Sequence, residues 1–311
     1  MKLAMVFPGQ GSQSVGMLAG YGDMPAIRRT LAEASDVLKQ DVGKLIAEGP
    51  AEEINRTVNT QPVMVTVGIC VWRAWSELGG AEPALVAGHS LGEYTALVAA
   101  GAMSFADCLP LVRLRGQAMQ EAVPQGQGAM AAILGLDDDA VRAACAEAAQ
   151  GEIAEAVNFN APGQVVVAGN AGAVQRAVEA AKARGAKRAV MLPVSAPFHS
   201  SLMAPAASRL RTALEPVGFN RPRIPVIHNV DVKSHESAAA IKEALVRQAD
   251  HPVRWVECVK EMAARGATHL FECGPGKVFA PLARRIADGL QGLALADRAG
   301  IEQGLQLFKR A

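Results

Sequence analysis

Apolar and polar positions alternate between two regimes along this chain. Leu3–Phe7 is a short apolar run that reads as a buried strand, and it leaves through the loop Pro8-Gly9-Gln10-Gly11-Ser12-Gln13. Helical segments follow, the clearest over residues 61–75, apolar on most faces and therefore predicted to be central. A second apolar run, Ala84-Leu85-Val86-Ala87, enters Gly88-His89-Ser90-Leu91-Gly92 and continues into a helix over 90–100. A further helix is predicted over 104–122, with Ser104 as its N-cap and Asp107 in the first turn. Strands alternating with helices imply a largely parallel sheet covered on both faces.

The pattern changes after the linker-like stretch Pro124-Gln125-Gly126-Gln127-Gly128. A strand over 129–134, a helix over 137–149 and a strand over 153–159 lead to a turn at Pro162-Gly163. A strand over 164–168, a helix over 171–184 and a strand over 188–193 complete the order βαββαβ, that of a ferredoxin-like unit. One continuous doubly wound sheet is disfavoured by the hairpin at Pro162-Gly163, because parallel neighbours need crossovers. The expected organisation is an α/β domain formed by 1–125 and 196–311, with 126–195 inserted as the ferredoxin-like subdomain. In the last third, strands are predicted over 224–228 and 268–272, and helices over 200–214, 237–249 and 275–287.

Composition narrows the classes without choosing one. The 311 residues suffice for a large core, half of them are hydrophobic, and the formal net charge is +1. No basic stripe calls for nucleic acid, and apolar runs such as 63–72 are too short to span a bilayer. The N-terminal run is too brief for a secretory signal. Five cysteines without C-x-x-C spacing read as buried thiols of a cytoplasmic protein, and no zinc cluster is expected.

The pentapeptide at 88–92 is the only Gly-x-Ser-x-Gly in the chain, and its strand-before, helix-after setting is that of a nucleophile elbow. Ser90 would then sit at a helix N-terminus, where backbone N–H groups point towards a developing oxyanion. A serine nucleophile needs a base, and six histidines are candidates. His199 lies in the proline-constrained loop Val194-Ser195-Ala196-Pro197-Phe198-His199-Ser200-Ser201, a rigid presentation suited to a base, with helix capping as the alternative. His89 reads as structural or as a pocket wall, and His228 as a residue at a strand end that could line the cleft. His235 and His251 read as exposed, and His269 as packing. No acid stands out as a third triad member. Asp107, Asp137, Asp138 and Asp139 are explained by their places at helix starts. That absence argues against a plain Ser-His-Asp hydrolase. Gly274-Pro275-Gly276-Lys277 fails the Walker pattern and reads as a strand-to-helix turn.

Five motifs stand in order along the chain: Phe7-Pro8-Gly9-Gln10-Gly11-Ser12-Gln13, Gly88-His89-Ser90-Leu91-Gly92-Glu93, Arg113-Leu114-Arg115-Gly116-Gln117-Ala118-Met119, Phe198-His199-Ser200 and Glu272-Cys273-Gly274-Pro275-Gly276. Together they resemble the bacterial malonyl-CoA:acyl carrier protein transacylases of fatty-acid biosynthesis. The resemblance implies an α/β-hydrolase-like core with a ferredoxin-like insert, in agreement with the organisation above. It implies Ser90 as the acylated nucleophile, His199 as its base, and Gln248 as the residue whose carbonyl orients the histidine. It implies the backbone amides of Gln10 and Leu91 as the oxyanion hole and Arg115 as the partner of the substrate carboxylate. From spacing alone Arg115 would be an ordinary helix-surface residue. Gln61, His89 and Asn160 are expected to line the pocket or support the site, and Phe198 matches the bulky residue of malonyl-specific relatives. The implied protein is a cytoplasmic monomer that uses malonyl-CoA and holo acyl carrier protein and needs no cofactor or metal. Two rivals keep the same chemistry with another carrier: a trans-acting polyketide malonyltransferase and a malonate-decarboxylase malonyltransferase. A serine thioesterase or esterase would hydrolyse without an acceptor thiol and leave Arg115 unexplained. A non-catalytic carrier-binding module would tolerate loss of Ser90.

Overall fold

In the computed structural model, which describes residues 1–194 and 196–309, the first apolar run forms β1 (Leu3–Phe7), buried at every position. Four helices follow: α1 (Pro25–Leu38), α2 (Val42–Glu48), α3 (Ala51–Asn55) and α4 (Thr57–Glu77). Residues 60–71 of α4 are all buried, as a helix apolar on most faces requires. The chain then runs through β2 (Leu85–Gly88), α5 (Gly92–Ala99) and α6 (Phe105–Glu121). Ser104 caps α6 by accepting the Asp107 N–H at 3.0 Å.

Six elements make the middle third: β3 (Gly128–Leu134), α7 (Asp138–Ala149), β4 (Ala154–Ala161), β5 (Gln164–Asn170), α8 (Ala171–Ala183) and β6 (Arg188–Met191). Their strands form a separate four-stranded sheet in the order β4-β5-β3-β6, antiparallel throughout. Strand alternation gives this sheet two different faces. Ala131, Ile133, Val165 and Val167 pack with residues of α7 and α8, whereas Met130, Val166 and Ala168 cluster with Leu192, Val194 and Phe198. We read the chain as a discontinuous core divided at 126 and 195 by this unit. Ser195, Arg310 and Ala311, which fall within those expected boundaries, lie outside the described residues.

The remaining elements are α9 (Ala204–Leu214), β7 (Val226–Ile227), α10 (Ala238–Asp250), α11 (Trp255–Ala264), β8 (His269–Glu272), α12 (Ala283–Ile286), β9 (Gln291–Ala294) and α13 (Arg298–Leu307). The core sheet, in the order β7-β2-β1-β8-β9, is parallel at every pairing. Its central strand is apolar at each position because helices cover both sides. Leu3, Met5 and Phe7 join the core with α1 and α4, while Ala4 and Val6 join Trp255, Val259 and Met262 of α11. The topology sets β2 directly beside β1, with Phe7 opposite Gly88, so the loop after β1 meets the elbow after β2.

Three sequence expectations need correction. Residues 275–287 do not form one helix: the chain turns as far as 279, then makes a 3-10 turn at Ala280–Leu282 before α12. Buried Glu272 explains the detour, because its carboxylate accepts the N–H groups of Val278, Phe279 and Ala280 at 3.0, 2.9 and 2.9 Å. The strand over 188–193 ends at Met191, and that over 224–228 narrows to Val226–Ile227. Among the described residues, no helix is long and apolar enough to cross a membrane, and no group of three or more side chains could hold a metal ion.

Candidate active site

The turn between β2 and α5 is the geometric centre of the site. Gly88 and Gly92 are required there: a Cβ on Gly88 would lie 1.8 Å from the Gly92 carbonyl, and one on Gly92 would lie 2.1 Å from Phe7 O. Between them Ser90 takes a left-handed conformation with φ 52°, which L residues adopt at a cost. Its main chain is held from both ends. Ser90 N donates to Asn229 Oδ1 at 2.7 Å, and Ser90 O accepts from Gln248 Nε2 at 2.8 Å. Asn229 Nδ2 also donates to Gly88 O at 2.8 Å.

Both holders converge on Glu93, which is fully buried in the first turn of α5. Its Oε2 accepts Asn229 N at 2.8 Å and Gln248 Nε2 at 3.1 Å, and its Oε1 lies 2.7 Å from His228 Nδ1. Sequence reasoning missed Glu93 and Asn229 as site residues. Glu93 left one signal, a carboxylate in the first turn of an otherwise apolar helix; Asn229 left none. His228 does not line the cleft; it is buried against this carboxylate.

His199 also has a positive φ, 65°, in a loop closed by Ser200 Oγ donating to Pro197 O at 2.7 Å. Its Nε2 lies 2.6 Å from Ser90 Oγ, and its Nδ1 lies 2.8 Å from the main-chain carbonyl of Gln248. A carbonyl only accepts, so Nδ1 carries the ring proton and Nε2 is free to accept the serine hydroxyl. Burial pushes the His199 pKa down to about 3, and the neighbouring Arg115 charge acts in the same direction. The ring is therefore neutral near pH 7.

Arg115, on α6, is 2% exposed. Its Nη1 donates to Gln61 Oε1 at 2.9 Å, and its Nη2 donates to Gln248 Oε1 at 3.0 Å and to Ser90 Oγ at 3.2 Å. All three partners are neutral oxygens. The guanidinium lies 5.4 Å from the Tyr94 ring centroid, and its Nε has no partner among the described residues. Burial lowers its pKa, with the charge of nearby Glu93 acting in the opposite direction.

A cavity of about 560 Å³ opens over these groups. Gln10, Gln61 and Arg115 line it from the core, and Met130, Val166 and Leu192 from the insert. Phe198, His89 and Leu91 also line it. The turn pairs Gly92 N with His89 O and Glu93 N with Ser90 O, leaving the Leu91 amide, like that of Gln10, without an acceptor among the described residues. His89 Nε2 lies 2.8 Å from Asn160 Oδ1, its ring stacks on Phe279 at 5.1 Å, and burial lowers its pKa to about 4. Asn160 therefore backs His89 and does not line the cavity; the residue that does is Asn158. Of the other histidines, His251 is exposed and His269 packs against Phe308, but His235 is half-buried on Asp231 at 2.9 Å, not exposed as its surroundings suggested. All five cysteines are buried and free.

Core and elbow define an α/β protein built around a strained serine on a neutral histidine. The family model described as the acyl transferase domain matches residues 4–289, and the chain belongs to that family. It is 53% identical over 305 residues to the malonyl CoA-acyl carrier protein transacylase of Salmonella typhimurium, covering 98% of this chain and 99% of the relative. Among solved structures, the acyl-carrier-protein S-malonyltransferase of Burkholderia pseudomallei superimposes with TM-score 0.97 at 61% identity, covering 98% of this chain and 100% of that one. A malonyl-transacylase solved in complex with a type II PKS acyl-carrier protein gives TM-score 0.97 at 51% identity, covering 99% and 100% of the two chains.

Proposed function

We propose that this chain transfers a malonyl group from malonyl-CoA to the phosphopantetheine thiol of holo acyl carrier protein through a malonyl-Ser90 ester, as a cytoplasmic monomer of fatty-acid biosynthesis. The observation that carries the reading is Arg115: a buried guanidinium whose partners are neutral, donating to the oxygen of a serine that itself contacts a neutral histidine. A free carboxylate on the acyl group supplies a charged hydrogen-bond partner beside the nucleophile, which the guanidinium otherwise lacks. The names of the relatives support the same substrate and carrier.

In the first half-reaction Ser90 Oγ attacks the thioester carbonyl while His199 Nε2 takes its proton. The Gln10 and Leu91 amides face the oxyanion. The C–S bond breaks, and the histidine returns the proton to the departing coenzyme A thiolate. The carrier thiol then gives its proton to His199 and attacks the malonyl ester; the C–Oγ bond breaks and Ser90 is reprotonated. Gln248 holds the imidazole through its main-chain carbonyl and the Ser90 carbonyl through its side chain. These steps use acid–base and electrostatic catalysis alone, so the proposal includes no metal or redox cofactor.

The carrier has a second reading, a polyketide acyl carrier protein, favoured by the close likeness to a transacylase solved with such a partner. Intact mass spectrometry after mixing with malonyl-CoA tests the shared chemistry. One malonyl group should add, on the peptide containing Ser90, and Ser90→Ala should remain unmodified. Full labelling of Ser90→Ala would sink the proposal.

A further inference from the structure

The insert's share of the cavity wall is Met130, Asn158, Val166, Leu192, Pro193 and Val194, and Asn158 is the one polar side chain among them. Its backbone position is fixed from both sides. Val253 N donates to Val157 O at 2.8 Å, and Phe159 N donates to Val253 O at 3.1 Å, tying β4 to the core around Asn158. Across the sheet Asn158 pairs with Val166, itself a wall residue. Asn158 Oδ1 is buried and has no hydrogen-bond partner among the described residues. Among the buried side-chain atoms in that condition, only Asn158 Oδ1 and Arg115 Nε belong to residues that line this cavity. The two are opposite in kind. Arg115 offers donors, which suit a carboxylate; the Asn158 oxygen is an acceptor and requires an N–H. A buried acceptor without a donor is unfavourable, and a ligand that supplies one removes the penalty.

The malonyl group carries no N–H, so it cannot be the partner. The arm on which the thioester sits can. In coenzyme A and in a phosphopantetheinylated carrier this arm is the same, short methylene spacers interrupted by secondary amides. The methylenes suit Met130, Val166 and Leu192, and one amide N–H suits the single acceptor set among them. We propose that Asn158 is a substrate-recognition residue whose carboxamide oxygen accepts an amide N–H of the thioester-bearing arm. The inference rests on the thioester-transfer reading above and deepens it: one contact on the insert serves donor and acceptor alike, because both thiols end the same arm.

The test compares wild type with Asn158→Leu, of similar size but without the carboxamide, on three donors. Malonyl-CoA and malonyl-N-acetylcysteamine contain the amide next to the thioester spacer; malonyl-butanethiol ester does not. Acylation of Ser90 is followed by intact mass. The variant's loss in kcat/KM with the amide-bearing donors should exceed its loss with the butanethiol ester by about tenfold, the scale of one net hydrogen bond. The same excess is expected when pantetheine replaces butanethiol as acceptor for the malonyl-enzyme. Equal losses for amide-bearing and amide-free thioesters would overturn the assignment and leave Asn158 a packing residue. Should leucine prevent folding, Asn158→Ala carries the same comparison, since the ratio between thioesters does not depend on how much active enzyme is recovered. Failure of the parent reading looks different: wild type would then acylate Ser90 with none of the three donors.

Discussion

The two walls of the cavity come from two sheets that use their buried faces differently. The core sheet is parallel and covered on both sides, so its loops carry the chemistry, and every reacting group is fixed by further polar contacts. Ser90 is held by Asn229 and Gln248, both by Glu93, and His199 by Gln248. The insert sheet is antiparallel and buries one face under its helices, leaving the other to cluster beside Phe198 as an apolar surface. Charge and proton transfer belong to one wall; shape, with the single acceptor of Asn158, belongs to the other. A nucleophile in a left-handed conformation persists only where its surroundings over-determine it, and the core wall supplies that. The insert wall is expected to tolerate change more readily, with effects on which substrates fit.

The largest break in this contrast should come from His199→Ala, which removes the base and leaves the insert's side of the cavity wall intact. Transfer should fall by roughly 100- to 10,000-fold, the usual range for a general base, in steady-state assays. A nearly active variant would move the role elsewhere. The pH behaviour carries a second check. With the His199 pKa held near 3 by burial, kcat/KM should stay level between pH 7 and 5 instead of halving near 6.5. Linkage gives the companion effect on stability. The folded pKa values of His199 and His89, about 3 and about 4, lie below the unfolded value of 6.5. In that interval the unfolded chain binds more protons, so the stability these rings contribute is present above 6.5 and is lost as pH falls towards 3. Urea titrations across the window should show the midpoint falling with pH, more shallowly in His89→Phe. A slope unchanged by that substitution would show that His89 does not contribute.

Next in size is Arg115→Ala. Loss of a buried charged donor aimed at the acyl carboxylate should lower malonyl transfer and spare acetyl transfer, shifting preference between the two thioesters by about 100-fold. Equal losses for both would mean that Arg115 holds the fold and reads no carboxylate.

How much of this was legible differed between the two walls. The elbow, the base loop and the βαββαβ order stand in the sequence because each rests on local pattern: glycines at a crowded turn, prolines before a helix, a hairpin turn between strands. Glu93, Asn229 and the carbonyl of Gln248 act through contacts spanning more than 130 positions for the first pair, and 49 from Gln248 to His199, which no local pattern encodes. Asn158 and Asn160 share strand parity, so sequence alone could not tell which one faces the cavity. The register shifts in β4 between Ala156 and Asn158 and between Phe159 and Ala161 decide it. The broken helix after β8 was hidden for a similar reason. Its periodicity is helical, but Glu272 captures three amides that would otherwise continue it.

The smallest predicted effect falls on the residue that belongs to both walls. Phe198 packs against the core cluster and also against the insert's cavity-facing cluster, and it precedes the base directly. Its ring is therefore placed to limit the space beside the reacting acyl group without supplying charge or protons. A malonyl methylene is small; an added α-methyl must occupy the volume the ring takes up. Excluding one methyl group is worth roughly 1–3 kcal/mol at most in an apolar pocket. Phe198→Ser should therefore raise methylmalonyl-CoA transfer relative to malonyl-CoA by about tenfold, with a modest loss of malonyl rate from the weakened seam between the clusters. Competition between the two thioesters measures it. If the ratio stays fixed while both rates fall, Phe198 serves only to join the insert to the core, and the apolar wall has no part in choosing the acyl group.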